Sequence, residues 1–349
     1  MKKRILYNFW GYLSNRYEIS APDGNASYSP WIINSFIDHG YDVFAGPIDR
    51  DKPIIDKYGL EKSFSTFMTE DRIKAYTNLQ FVDLENLPEI DILLLEWRFP
   101  TIYNTIEEED SSFCPDLKIQ NKLLDHYYGK VKIVVLDLDL NFSLSDKIKY
   151  PDIRCISQED VSLGAPIESL LPEMSIDITK IFSFVGNEYK KMIDISRKVD
   201  YVSNKYKGLV HFYGNWTRED KKPFRDAYPN IVYHGRIGIG EFSEAMSDSL
   251  VVPILGTEAY RKRGFMTYRI AESLMFGSIP LGFSDFKNIR EFLPEELIVD
   301  MNEYEIDIER KISYLLNQTY EQRVELRDKV AKMIAKRFSI ENFYTEVTK

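Results

Sequence analysis

Ser249-Leu-Val-Val-Pro-Ile-Leu255, then Gly264-Phe-Met-Thr-Tyr-Arg-Ile-Ala-Glu-Ser-Leu-Met-Phe-Gly277, then Ile279-Pro-Leu-Gly-Phe283 follow one another in this chain. An apolar run, a glycine-bounded segment with helical spacing and a second apolar run spell strand–helix–strand, the unit of a parallel α/β sheet. The same phrase repeats upstream. Ile181–Val185 runs into Gly186-Asn187 and a helix, and Gly208–Tyr213 into Gly214-Asn215-Trp216. Ile231–His234 runs into Gly235-Arg-Ile-Gly-Ile-Gly240 and a helix over 241–248. Glycine after strand upon strand is what a Rossmann-like domain needs for turns at its ligand edge. Beyond 305 the pattern is helical, with an amphipathic segment near 320–336 and a last helix near 339–347.

The first half carries a second set of such units. Residues 3–9 are apolar, and a long polar loop spans 11–27. Ser29 to Gly40 has a cap, a proline at the first helical position and a glycine stop, and residues 41–46 form the next strand. Further strands are expected at 91–97, 131–140 and 153–156, with a helix near 116–128. A loop of that length after a first strand lies at the carboxyl edge, where open α/β sheets bind ligands, and is read as a wall of the active site. Residues 164–178 hold two prolines and little periodicity and read as the interdomain linker.

Composition narrows the class. The 349 residues carry a net charge of −10, with 44% hydrophobic and 14% aromatic side chains. That is ample for two packed cores and argues against nonspecific binding of nucleic acid over the whole surface. Basic residues do cluster at Arg218 to Arg225 and at Arg261-Lys-Arg263. No apolar run approaches the ~20 residues that span a bilayer, and the N-terminus lacks a signal-peptide pattern. Cys114 and Cys155 make no disulfide framework, and His39, His126, His211 and His234 are too scattered for zinc. The expectation is a cytoplasmic protein without membrane attachment.

Arg269 and Glu272 stand three residues apart and share one helix face. A guanidinium suits a diphosphate, and a carboxylate accepts ribose hydroxyls. The plainer reading is an intrahelical ion pair on a solvated surface. Asp137 and Asp139 lie at the end of the 131–140 strand, on the same face by alternation. The Asp-Leu-Asp triplet they form is read as accidental rather than as a metal site; a divalent metal is compatible with the chemistry, but no residue pattern calls for one.

The run from Phe212-Tyr-Gly-Asn215 through His234-Gly-Arg-Ile-Gly238 to Thr267-Tyr-Arg-Ile-Ala-Glu-Ser-Leu-Met275 resembles the phage DNA β-glucosyltransferases over roughly 180–285. The likeness is weaker but ordered through Val131–Phe142. It implies a GT-B fold, with two Rossmann-like domains facing a central cleft and a C-terminal helix packed back on the N-terminal domain. The domains implied are 1–165 for the acceptor, 179–335 for the nucleotide sugar and 336–349 for the returning helix.

The same resemblance implies site residues. Arg269 contacts the diphosphate and Glu272 the ribose, and the backbone at Ile237, between Gly235 and Gly238, reads the uracil edge. Gly186, Asn187, Tyr189 and Lys190 occupy the place of a phosphate-clamping loop, where lysines at 190 and 191 stand for the family's arginines. Gly214, His234, Thr267 and Tyr268 complete the donor-site set. Asp137 takes the place of the general base, and Asp139 replaces a basic residue. The implied activity is inverting transfer of a sugar, glucose in the family, from a UDP-sugar to a hydroxymethylated pyrimidine in double-stranded DNA, with no tightly bound cofactor. Two other readings stay open: a GT-B enzyme with a glycan, lipid or small-molecule acceptor, and a non-catalytic nucleotide-binding module.

Overall fold

The computed structural model describes residues 2–8, 28–45, 74–75, 77–97, 114–138, 141–157, 164–167, 171–187 and 191–349. They divide into two units: 1–164 with 340–349, and 165–339.

The first unit runs β1 (Arg4–Asn8), α1 (Ser29–Asp38), β2 (Asp42–Ala45), β3 (Gln80–Phe81), β4 (Ile92–Glu96), α2 (Cys114–Tyr127), β5 (Lys132–Asp137), α3 (Leu144–Lys149) and β6 (Arg154–Ser157). The second runs β7 (Lys180–Val185), α4 (Met192–Lys205), β8 (Val210–Tyr213), α5 (Lys222–Ala227), β9 (Ile231–His234), α6 (Phe242–Met246) and β10 (Ser249–Pro253). It continues with α7 (Glu258–Arg263), α8 (Arg269–Met275), β11 (Pro280–Phe283), β12 (Ile298–Val299), α9 (Tyr304–Leu316) and α10 (Tyr320–Phe338). The last helix, α11 (Ile340–Thr348), belongs to the first unit.

Each unit holds one six-stranded sheet, ordered β3-β2-β1-β4-β5-β6 in the first and β12-β11-β10-β7-β8-β9 in the second. Counted within each unit these are the same order, the doubly wound arrangement with helical crossovers. Every pairing within the two sheets is parallel. All residues of β4, β7, β10 and β11 are buried, as expected for parallel strands covered on both faces. The strand order reverses between β1 and β4 in one sheet and between β7 and β10 in the other. Those switch points place the ligand crevices.

The segment read as a linker is stitched into the second unit. The Ala165 N–H donates to the Phe338 carbonyl at 2.5 Å, and Ile167 and Met174 are buried in that unit's core. Arg323 donates to the Ile176 carbonyl at 2.8 Å, and Arg327 to that of Pro172. Prolines kept the helical pattern out of this stretch, but its apolar side chains still need cover. Helix α11 packs on α1: Tyr344 stacks on His39 at 3.6 Å and meets Phe36 at 5.3 Å, and Glu346 pairs with Arg154.

Two further departures have local causes. β3 and β12 are two-residue strands, too short for any periodic signal. Residues 258–263, which hold the second basic cluster, form α7. Thr257 caps it, accepting from the Tyr260 N–H at 3.2 Å, and Gly264 closes it at φ 78°. Gly264 therefore ends one helix rather than opening the next. Among the described residues no helix is long and apolar enough to cross a membrane.

Candidate functional site

The glycines after β7, β8 and β9 form one hydrogen-bonded row at the carboxyl edge of the second sheet. The Gly186 N–H donates to the Tyr213 carbonyl at 2.9 Å, and the Gly214 N–H to the Gly235 carbonyl at 3.0 Å. Gly214 sits at φ 143°, and a Cβ there would stand 2.5 Å from the Gly186 oxygen and 2.9 Å from Asn187 Oδ1. Only glycine fits such a place. The Asn187 side chain accepts from the Asn215 N–H at 2.9 Å, Asn215 accepts from Arg236 Nε, and Trp216 Nε1 donates to the Gly186 carbonyl at 2.7 Å. Asn187 thus ties two strand ends together. The peptide groups of Ile237 meet no hydrogen-bond partner among the described residues, which leaves them available to a planar heterocycle.

Next to the switch point, α8 starts with Arg269. Its Nη1 lies 2.7 Å from Oε2 of Glu272, with the two side chains 18% and 6% exposed. The pair is intrahelical, as the plain reading had it, but it is largely buried rather than solvated. Solvent is kept from Nη1, which nonetheless meets no partner in hydrogen-bond alignment among the described residues, and among them the Thr267 hydroxyl is buried without a partner as well. The Phe242 ring lies 5.6 Å from the guanidinium carbon. Buried donors left without aligned partners are costly, and a ligand with acceptor oxygens relieves that cost. The strand–glycine series and this pair therefore belong to one sheet edge.

Tyr268 points elsewhere. Its hydroxyl approaches Met275 Sδ at 3.8 Å and its ring lies 6.2 Å from that of Phe338, with burial and then Glu272 pushing the phenol well above its usual value. It packs rather than presents a polar group. His234 is also engaged. Its ring stacks on Tyr213 at 4.2 Å and 6°, and its Nε2 meets His211 Nδ1 at 3.0 Å. His211 Nε2 faces the Gly208 carbonyl at 3.2 Å, so that nitrogen carries the proton and His234 Nε2–H is the donor to His211. Burial lowers both imidazole pKa values, with Lys180 adding to the effect at His234, so the pair is neutral near pH 7. Tyr189 and Lys190 lie outside the described residues. The Lys191 ammonium lies 5.6 Å from the Phe184 ring.

In the first unit Asp137 ends β5 and is 2% exposed. One carboxylate oxygen accepts from the Asn141 N–H at 2.7 Å and the other from the Phe142 N–H at 2.9 Å. Trp97 donates from Nε1 to the Asn141 carbonyl at 3.2 Å, with its ring edge-on to Phe142. Asp139 and the 11–27 loop lie outside the described residues. Among the described residues no three His, Cys, Asp or Glu side chains gather as a metal site. Glu96, not singled out in the sequence, ends β4 beside the first switch point and accepts from the Tyr7 hydroxyl at 2.7 Å. Its only sequence signal was a carboxylate closing an otherwise apolar strand.

Both basic clusters are largely paired within the protein. Arg225 donates to the Trp216 and Arg218 carbonyls at 2.5 and 2.6 Å, and Arg218, Lys221 and Lys222 pair with Asp220 or Asp226. Lys262 pairs with Glu258, and Arg261 with Asp194 and Asp285.

No family model matches this sequence, and no curated protein matches it either. Solved structures do. A T4 phage β-glucosyltransferase variant in complex with UDP-glucose aligns over 99% of both chains at 16% identity, with a TM-score of 0.54. The T4 phage DNA-modifying β-glucosyltransferase with and without UDP-glucose aligns over 99% of both chains at 14% identity and 0.52. A sucrose-phosphate synthase from Thermosynechococcus elongatus aligns over 99% of this chain and 98% of its own at 11% identity and 0.53. At such identities the likeness is one of fold, and the fold is GT-B, built from two Rossmann-like units.

Proposed function

We propose that this protein is an inverting glycosyltransferase that moves a sugar, glucose by its family likeness, from a UDP-sugar to a hydroxymethylated pyrimidine base in DNA. The observation that carries the reading is the buried Arg269–Glu272 pair at the glycine-lined edge, with the Thr267 hydroxyl buried beside it and unpaired. Within the protein the two charges pair with each other. On binding, the diphosphate takes the guanidinium and the ribose hydroxyls take the carboxylate, so neither charge is left buried and unpaired. Gly186, Gly214 and Gly235 let the nucleotide approach the main chain, and Ile237 offers free peptide groups to the uracil edge.

Chemistry follows from those contacts. The acceptor hydroxyl oxygen attacks the anomeric carbon, the bond to the UDP oxygen breaks with its electron pair, and the configuration inverts. Arg269 stabilises the charge that grows on the departing diphosphate. A carboxylate at the end of β5 takes the acceptor's proton. Asp137 is the residue proposed for this role, with the Asn141 and Phe142 N–H groups orienting its carboxylate. Reaching a base within a duplex requires flipping it out of the stack.

A second reading keeps the donor chemistry and changes the acceptor to a glycan or small molecule. The internal pairing of both basic clusters favours it, because few free cations remain there for phosphates. Incubation with labelled UDP-sugars and either hydroxymethylated or plain DNA separates the two. Label on the modified DNA alone supports DNA transfer. Donor hydrolysis with no labelled DNA supports the second reading, and no turnover at all contradicts both.

A further inference from the structure

Four charged side chains meet inside the second unit, and the chemistry described above uses none of them. Lys198 of α4 is 0% exposed, and its Nζ lies 2.7 Å from Asp194 Oδ1 and 3.0 Å from Asp285 Oδ1. Arg261 of α7 bridges the same two carboxylates, with Nε 3.3 Å from Asp194 and Nη1 2.5 Å from Asp285. The rings of Phe283 and Phe286 cover the ammonium at 4.4 and 5.2 Å. Two cations against two anions leave the cluster neutral, which is what allows it to be buried.

Its position gives it a use. Asp194 lies in the first turn of α4, just past the loop that follows β7, and Asp285 follows β11. The Gly256 N–H, beyond the end of β10, donates to Asp194 Oδ2 at 3.2 Å. The cluster therefore crosses the switch point between β7 and β10. On one side stand the strand ends of β7, β8 and β9, already held to one another by the glycine row. On the other stands the 256–268 segment that leads into Thr267 and Arg269. That segment is pinned again where the Lys287 N–H donates to the Arg261 carbonyl at 2.9 Å, and where Gly264 packs on the Lys287 carbonyl.

We infer that Lys198 and Asp285 are positioning residues that set the distance between the nucleoside-reading strand ends and the diphosphate-holding Arg269 across this switch point. The inference rests on the proposed UDP-sugar donor. It explains why an ammonium is buried so deeply: with Lys198 present, Asp194 and Asp285 draw α4, α7 and the end of β11 together. Without it the two carboxylates repel, with only Arg261 between them. The 256–268 segment then shifts, and Arg269 moves off the diphosphate while the uracil contacts stay in place.

The test compares UDP with uridine by calorimetry on the full-length protein. In Lys198→Met, UDP affinity falls by about tenfold, within the range of coupling through packed elements, and uridine affinity is retained. Asp285→Asn shows the same split to a smaller extent and serves if Lys198→Met does not fold. The double variant Lys198→Met/Asp285→Asn, whose charges again balance, recovers UDP affinity. A purely structural role would lower the melting temperature and leave the UDP-to-uridine affinity ratio of the folded protein at the wild-type value. That unchanged ratio, or no recovery in the double variant, overturns the inference. A wild-type protein that binds neither ligand overturns the donor reading instead, and this inference with it.

Discussion

The two sheets share one strand order but finish their carboxyl edges in opposite ways. In the second, β7, β8 and β9 run into glycines whose peptide groups bond to the neighbouring strand ends, so this part of the edge is bare main chain, with the buried Arg269–Glu272 pair across the switch point. In the first, strand ends carry side-chain acids that are already bonded: Glu96 to the Tyr7 hydroxyl, and Asp137 to two main-chain N–H groups. A bare edge admits a ligand against the backbone. An acid-tied edge fixes the main chain beside it and carries carboxylates at the strand ends. On the proposed reading, the same topology binds the nucleotide in one unit and carries the reacting group in the other.

The largest expected effect tests the acid-tied edge. Asp137→Asn lowers sugar transfer by about 10²–10⁴-fold, the usual worth of a general base, while Asp139→Asn stays near wild type in single-turnover assays. The reverse pattern moves the base to Asp139 and leaves Asp137 as the residue that holds the Asn141 and Phe142 N–H groups. Next in size is the bare edge. Arg269→Ala reduces kcat/KM by about 10²–10³-fold, because the leaving diphosphate loses its charged partner. Smaller again is Gly214→Ala, which forces a Cβ at φ 143° onto the Gly186 oxygen; denaturant unfolding should show a loss of about 1–3 kcal/mol.

The smallest effect is a pH dependence of the second unit. Burial lowers the pKa of His211 and His234 in the folded state, so the unfolded chain binds more protons below about pH 6.5. Stability is then complete above that pH and declines as pH falls below it. Thermal melts between pH 7.5 and 5 should show the decline, and His211→Gln should make it shallower.

How much of this was legible in the sequence follows from the kind of signal involved. The apolar strands and the glycines after them are dense local patterns, and they place both sheets and the bare edge. The helix holding Arg269 and Glu272 was legible from spacing, but its burial was not, because burial comes from Phe242 and from segments distant in sequence. α7 was missed because Tyr260-Arg-Lys-Arg263 reads as polar loop until Thr257 and Gly264 are recognised as its two caps. The partners of Asp137 and the Lys198 cluster were invisible for another reason. Hydrogen bonds to main-chain N–H groups leave no residue pattern, and Asp194 and Asp285 stand far apart in the chain.

The central claim is that the bare edge of the second unit holds a uridine diphosphate through Arg269. The most direct measurement is the thermal stability of the wild-type protein and of Arg269→Ala, each with and without saturating UDP. A ligand that binds only the folded state stabilises it by RT ln(1 + L/Kd) at free ligand concentration L, so UDP should raise the wild-type melting temperature and leave that of Arg269→Ala, with its weakened affinity, nearly unmoved. No rise in the wild type, or an equal rise in both proteins, would contradict the account.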